Sequence, residues 1–480
     1  MFYEFYLHIS NHSKIHKFLI FPSDCALQVI NIGKLFGTDG VRGKGNVYPM
    51  TADLVLRLGQ AAARVFKKEG KKLKVIIGKD TRVSGYIFES ALTAGLCSMG
   101  ANVYLVGPMP TPAIAHLIRS FAADAGIVIS ASHNPAEDNG IKFFDRDGYK
   151  LPDEMEQEIE KLVLNGKFDT SRMTGKNVGK AFRIDDASGR YIEFAKNSVK
   201  NKKLTGLKVI LDCANGAAYK VAPLIFSELG AEVTVFGNKP DGLNINHECG
   251  ALHPGLIRSA VLGHKADVGI ALDGDADRVI MVDEEGEEVD GDELIALCAF
   301  YLNESKRLKK DAVVVTVMSN LGFEKALKDN NILVHRTDVG DRYVIEKMKS
   351  SGAVLGGEQS GHIIFSDHNT TGDGTIAALQ VLSIMKKTGK KLSQLKKCIE
   401  KYPQMLESFH VKEKKPLEEL PDVQKVLSKA EKELGEDGRI LVRYSGTENK
   451  CRVMVEGKTQ KITEKVCNEI ADAIKKEIGV

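Results

Sequence analysis

One pattern recurs along this chain and constrains its fold more than any other feature. A β-branched strand runs into a polar turn, a helix follows and stops, and a second β-branched strand comes next. The first copy reads Val75-Ile-Ile-Gly78, the turn Lys79-Asp-Thr-Arg-Val-Ser-Gly85, a helical run to Met99, Gly100 and Val103-Tyr-Leu-Val106. The second reads Val209-Ile-Leu-Asp212, Cys213-Ala-Asn-Gly216, a helix over 221–229, Gly230 and Val233-Thr-Val-Phe236. The third reads Val313-Val-Val-Thr316, Met318-Ser-Asn320, a helix over 322–330 and Leu333-Val-His335. Such strand–helix–strand units require parallel pairing and a right-handed crossover. Each copy then continues through an apolar segment to an unusual loop: Ser130-Ala-Ser-His-Asn134, Asp273-Gly-Asp-Ala-Asp-Arg278 and Gly356-Gly-Glu-Gln-Ser-Gly-His362. Open α/β sheets place ligands at such strand ends. The expected architecture is three similar mixed α/β domains whose loops meet in a central cleft. The tail reads differently: Val423, Val426, Leu427, Ala430 and Leu434 share a helical face, two short strands flank a polar loop, and Val466, Ile470 and Ile474 fall in phase on a last helix. It is expected to form a smaller α+β domain. The expected boundaries are 35–182, 183–288, 289–400 and 401–480.

Bulk composition narrows the function classes. A chain of 480 residues fits about three or four domains. With 67 basic against 64 acidic residues the net charge is only +3, and no basic block interleaves with aromatics, so a nucleic-acid partner is not expected. Eight cysteines are scattered without a C-x-x-C pair, which disfavours zinc-ribbon and redox motifs and fits a reduced, cytoplasmic setting. No apolar run approaches the roughly 18 residues that span a bilayer, so no membrane partner is expected. Residues 1–34 stand apart: an aromatic start, a brief apolar Phe18-Leu-Ile-Phe21, and Asp24 interrupting the stretch after it. They are expected to be a poorly ordered extension or the product of a misplaced start codon, rather than a signal peptide.

The loops carry the chemistry. Ser132 stands beside His133 at the end of an apolar strand, with Asn134-Pro135 blocking its continuation. That is one way to present a nucleophilic hydroxyl; it is also how Ser and Asn behave in ordinary turns. Asp273, Asp275 and Asp277 alternate with small residues, so their carboxylates can converge on one hard cation such as Mg²⁺. An EF-hand is disfavoured because Arg278 stands where that loop needs glycine and a strand-like run leads in. Arg278 itself could hold a phosphate. Glu358 and Ser360, among glycines, are suited to sugar hydroxyls. Arg443-Tyr-Ser-Gly-Thr447 offers a guanidinium, hydroxyls and a flexible backbone, the parts of a phosphate cradle or of a plain hairpin loop. Gly37-Thr-Asp-Gly-Val-Arg-Gly43 suggests a further anion site around Arg42, or a simple entry turn.

Together these segments, in this order, resemble the α-D-phosphohexomutase superfamily over essentially residues 34–480. Within it the chain is most similar to the bacterial phosphoglucosamine mutases, through the Gly37–Gly43 opening and Gln359. The resemblance implies an isomerase with Ser132 as a phosphoserine. Its phosphoryl passes to glucosamine 6-phosphate, a 1,6-bisphosphate turns over in the site, and glucosamine 1-phosphate leaves for amino-sugar nucleotide and cell-wall precursor synthesis. It implies one Mg²⁺ on Asp273, Asp275, Asp277 and a Ser132 phosphoryl oxygen, and a hexose bisphosphate as activator. Lys142 would be the acid/base, helped by Arg42 and His133, a role that needs its pKa lowered. Glu358 and Ser360 would hold the sugar. Arg278 would face phosphate. Arg443, Ser445, Gly446, Thr447 and Arg452 would bind the non-reacting phosphate. A homodimer is compatible with this reading. The alternatives are a phosphomannomutase/phosphoglucomutase, a non-catalytic phosphosugar sensor and an Asp-nucleophile phosphatase. Two departures stand out. Tyr444 and Asn449 replace prolines common in relatives, which predicts a looser loop. Ala276 replaces a common glycine, which should matter little unless its φ is positive.

Overall fold

Strand alternation sorts the side chains of the first sheet onto two faces. In strand Lys74–Lys79, Val75 and Ile77 enter one core while Ile76 enters another on the opposite face. Strand Ala125–Ile129 repeats the division, with Ile127 and Ile129 on one side and Val128 on the other. A sheet apolar on both faces must be covered on both. Helices Ala52–Val65 and Gly85–Ser98 cover one face through Leu58, Phe88 and Leu92, and helix Thr111–Ser120 covers the other through Ile114 and Ile118. The computed structural model describes residues 35–37, 39–67, 71–165, 173–445 and 449–480. The expected extension over 1–34, and Gly446 and Thr447 of the expected phosphate loop, lie outside the described residues.

The same four-strand core occurs three times. Lys74–Lys79 pairs in parallel with Asn102–Pro108 and with Ala125–Ile129, and Asp138–Phe144 returns antiparallel to the latter. Lys208–Asp212 stands likewise between Glu232–Phe236 and Val268–Leu272, followed by antiparallel Val279–Asp283. Ala312–Thr316 stands between Leu333–Thr337 and Leu355–Gly357, followed by antiparallel Ile363–Phe365. The parallel units are those the repeat predicts. The return strand makes each sheet mixed, and each of the three unusual loops is the reversal that precedes it. Flanking strands extend the first sheet to seven strands and the second to five.

The tail is an antiparallel sheet of three strands, with Lys450–Glu456 between Gln404–His410 and Arg439–Tyr444. Helices Pro421–Leu434 and Gln460–Ile478 bury Val423, Ala430, Val466, Ile470 and Ile474 against it. The first strand, Gln-Met-Leu-Glu-Ser-Phe-His, carries no apolar alternation, so a reading of periodicity passes over it. One continuous core takes in side chains of the first three sheets, such as Ile76, Leu211 and Val313, whereas the tail keeps a core of its own. Among the described residues no helix is long and apolar enough to cross a membrane.

Candidate active site

Ser132 is buried in the first reversal, with φ of +52°, a left-handed conformation uncommon for a residue with a side chain. Its Oγ donates to Asp273 Oδ2 at 2.6 Å, across the boundary between the first and second sheets. His133 Nδ1 lies 3.3 Å from the same Oγ. Burial, with Arg278 and Arg42 close by, pushes the His133 imidazole down to about 4, so it is neutral at pH 7.

The second reversal brings Asp273, Asp275 and Asp277 together, all buried, each offering an oxygen within 4.8 Å of the others. A strand leads into this loop, as expected against an EF-hand. Asp275 Oδ2 accepts from Thr111 Oγ1 at 2.6 Å and from Lys142 Nζ at 2.9 Å. Asp275 Oδ1 and Asp277 Oδ1 are buried with no hydrogen-bond partner. Buried polar atoms are rarely left so, and three carboxylate oxygens this close together suit a hard divalent cation such as Mg²⁺. Burial and the neighbouring Asp277 and Asp275 push the Asp273 carboxyl up to about 8. Against the cost of burial, Lys142 and His362 hold Asp277 well below the usual carboxylate range. Ala276, between them, has φ of +56°. The condition under which its methyl matters is therefore met, and the loop carries backbone strain that glycine would not.

Lys142 is the centre of an ionic cluster. Its Nζ is 2.9 Å from Asp275, 3.1 Å from Asp39 and 3.5 Å from Asp277, and its side chain is 1% exposed. Burial opposes its charge, but Asp275, Asp39 and Asp277 together raise its pKa above the ordinary lysine value. The direction is opposite to what the acid/base role needs, as long as the three carboxylates face the ammonium alone. Arg42 pairs with Asp39, and Lys150 pairs with both Asp39 and Asp341. Against the cost of burial, Lys142, Lys150 and Arg42 hold Asp39 well below the usual range.

The third reversal is stitched to the second. The backbones of Arg278 and His362 bridge, and Val279 N donates to Gly361 O at 3.0 Å. At Gly361, with φ of +89°, a Cβ would fall 2.1 Å from Val279 O, so only glycine allows this approach. His362 is buried 3.7 Å from Asp277 Oδ1 and 3.6 Å from Asp341 Oδ2. Glu358 Oε1 accepts from Gly340 N at 3.2 Å, and Ser360 Oγ donates to Glu358 Oε2 at 3.1 Å. Arg278 remains partly exposed, with its Nε 3.9 Å from Asp277 Oδ1 and without a hydrogen-bond partner.

Ser132, His133, Arg42, Lys142, the aspartates, Arg278, Glu358 and Ser360 thus belong to one connected cluster. Arg443 and Arg452 stand apart on the tail sheet, directly opposite each other across the hairpin. Burial and Arg452 lower the pKa of Arg443, and Asp338 pulls against them. Two like charges face to face in a hairpin disfavour the fold unless an anion joins them. Ser445 beside them is buried, its N donating to Lys450 O at 2.8 Å and its carbonyl accepting from Lys414 Nζ at 2.6 Å.

Models of the phosphoglucomutase/phosphomannomutase family match the chain in four consecutive pieces: α/β/α domain I over residues 33–170, domain II over 189–286, domain III over 290–402 and the C-terminal domain over 407–473. The phosphoglucosamine mutase of Geobacter metallireducens is 56% identical over 447 residues, covering 93% of this chain and 99% of that protein. The chain belongs to the α-D-phosphohexomutase superfamily. The phosphoglucosamine mutase of Myxococcus xanthus is 55% identical over 448 residues, covering 93% of this chain and 98% of its own length. In fold, this phosphohexomutase chain is similar to a phosphoglucomutase/phosphomannomutase family protein of Burkholderia thailandensis (TM-score 0.77, 23% identity, 93% of this chain and 99% of that one). It is also similar to the N-acetylphosphoglucosamine mutase of Aspergillus fumigatus solved with GlcNAc-6P and magnesium (TM-score 0.65, 19% identity, 92% of this chain and 96% of that one).

Several members of this phosphohexomutase cluster are not legible as such in the sequence. Asp39 lies inside the quoted opening segment, but only its neighbour Arg42 carries a readable signal there. Lys150 and Asp341 carry no local signal and are paired only by the fold. Thr111 reaches the site from the first turn of helix Thr111–Ser120 and Asn246 from another loop, Asn246 Nδ2 donating to Ser132 O at 2.9 Å. Arg82 is visible only as part of a polar turn.

Proposed function

We propose that this chain interconverts glucosamine 6-phosphate and glucosamine 1-phosphate, with Ser132 carrying the transferable phosphoryl group. The observation that carries the reading is the Ser132 hydroxyl at 2.6 Å from Asp273, in a buried acidic triad with two oxygens that accept no hydrogen bond, in a chain 56% identical to a phosphoglucosamine mutase over nearly all of its length. A phosphoserine carries roughly −1.5 to −2 charge at neutral pH. Asp273, Asp275 and Asp277, with the oxygen on Ser132, would hold one Mg²⁺. That ion supplies charge neutralisation of the phosphoryl oxygens and stabilises a loose transition state.

The chain's own residues do the rest. Arg278, partly exposed beside Asp277, faces the incoming phosphate. Glu358 and Ser360 bind the sugar hydroxyls, and Arg443, Arg452 and the Ser445–Thr447 loop bind the non-reacting phosphate. Lys142 exchanges a proton with the reacting hydroxyl once Asp275 and Asp277 have another cation to face. Phosphoryl moves from Ser132 to one end of the sugar, the 1,6-bisphosphate turns over, and the phosphoryl at its other end returns to Ser132. A hexose 1,6-bisphosphate accordingly serves as activator.

The test couples glucosamine 1-phosphate to its acetylation, using protein first treated with a hexose 1,6-bisphosphate. Intact mass should show one phosphoryl gained, mapped to Ser132 and absent in Ser132→Ala. Chelation should abolish turnover and Mg²⁺ restore it. Phosphorylated protein that yields no product sinks the reading. A much higher kcat/KM with mannose or glucose phosphates moves the chain to the other branch of the superfamily.

A further inference from the structure

The turn after the first strand of the repeat holds a wholly buried arginine, Arg82, which no step of the proposed reaction uses. Its guanidinium donates almost entirely to main-chain carbonyls of the Ser132 loop. Nη2 reaches Ser132 O at 3.0 Å and Asn134 O at 2.8 Å. Nη1 reaches Asp138 O at 3.0 Å and also Pro135 O. Nε pairs with Asp80 Oδ2 at 2.8 Å. The other face of the same backbone unit is held as well. Ser132 N donates to Ser130 Oγ at 2.9 Å, and Ser130 Oγ donates to Asp80 Oδ2 at 2.6 Å. The contacts close a ring: Ser132 N, Ser130, Asp80, Arg82 and back to Ser132 O.

We propose that Arg82 is a positioning residue for the phosphoryl-carrying serine, its fork fixing the Ser132 backbone so that Oγ faces the acidic triad. The inference rests on the reading of Ser132 as that carrier. Three observations carry it. Ser132 is left-handed, at φ of +52°, a conformation unfavourable for an L-residue that persists only when its surroundings over-determine it. The ring supplies that constraint at both ends of the residue. The carbonyl it grips is also the surface on which the metal loop rests: a Cβ at Gly274 would fall 2.5 Å from Ser132 O. The position of this one carbonyl therefore sets how closely Ser132 and Asp273 approach. Four carbonyls gripped by one guanidinium suit a rigid five-donor fork, and an ammonium cannot reproduce the arrangement.

The test uses the full chain, with Arg82→Lys and Ser130→Ala measured beside the wild type. A displacement of about 1 Å at a reacting atom can cost about 100-fold in rate. Arg82→Lys is expected to lower kcat about 100-fold and to leave KM for the sugar phosphate within about threefold, since the groups that bind it lie on other loops. Ser130→Ala, which opens the ring elsewhere, is expected to lower kcat about tenfold. Hydrogen exchange in both should quicken in the peptide spanning residues 130–138 and stay unchanged elsewhere. The proposal is overturned if folded Arg82→Lys keeps kcat within about threefold. It is equally overturned if kcat falls only in step with the folded fraction while exchange rises across the whole first sheet. If Arg82→Lys does not fold, Ser130→Ala decides by the same readouts. Wild-type protein that neither gains a phosphoryl nor turns over refutes the functional reading instead, and the exchange pattern then still decides whether Arg82 fixes the loop.

Discussion

Lys142 shows how strongly a buried site depends on which charges face which. Three carboxylates surround its ammonium within 3.5 Å, and nothing in Asn-Gly-Ile-Lys announces that. In the proton-exchange role proposed for it, it should contribute to turnover and not to substrate capture. Lys142→Ala is expected to lower kcat by about 10²–10⁴-fold while Ser132 still gains a phosphoryl by intact mass; a fall confined to KM would contradict the role. At this scale the sequence is legible where a residue type announces its own chemistry. Alternating aspartates and a hydroxyl at a strand end are such residues. Asp39, Thr111 and Asn246 are not legible, because their places are set by which loops and helix ends the fold brings together.

The elements that deliver these residues are legible as strand–helix–strand units because apolar periodicity and helix stops are local signals. The return strands are harder to see. Ile363–Phe365 is three residues long, too short for a period to register. Helix Gly374–Thr388 supplies a test of an element end. Its N-cap, Asp373, is buried, accepting from Ile376 N at 2.9 Å and from Tyr191 Oη at 3.0 Å. Burial pushes its carboxyl up to about 6. Between about pH 4 and 6 the folded state then holds a proton that the unfolded state has lost, so this group's contribution to stability falls as pH rises and is constant above that window. The total is at most about 3 kcal/mol. Asp373→Asn should remove this slope, read as the difference between wild-type and variant denaturation midpoints across that range. The tail hairpin supplies another test, because Arg443 and Arg452 face each other as like charges. Arg443→Gln should raise KM at least about tenfold, and inorganic phosphate should raise the melting temperature of the wild type but not of the variant.

At the scale of the whole molecule, three sheets share one core and the tail sheet has another. A buried carboxylate helps to join the two. Glu456, fully buried, accepts from Arg439 Nε at 2.8 Å, Gln404 Nε2 at 3.1 Å and Leu321 N at 3.3 Å. Removing one partner of a buried pair costs about 3–5 kcal/mol, and the lower figure applies because Arg439 reaches solvent. Glu456→Ala should therefore loosen the tail from the third sheet, seen in calorimetry as a separate, earlier transition for the tail. A single unchanged transition would contradict this.

The tail also fastens to main chain. Arg439 donates to Val317 O and Ser319 O at 3.0 and 2.9 Å, and Gln404 Nε2 donates to Met318 O at 3.3 Å. This turn is the counterpart, in the third copy of the repeat, of the turn that carries Arg82 in the first. In both places the acceptors are carbonyls, which every amino acid supplies. Side chains along a gripped loop can be exchanged over evolutionary time while the loop keeps its place, provided the donor arginine stays. A scaffold anchored in this way can change what its loops do without relearning where to put them.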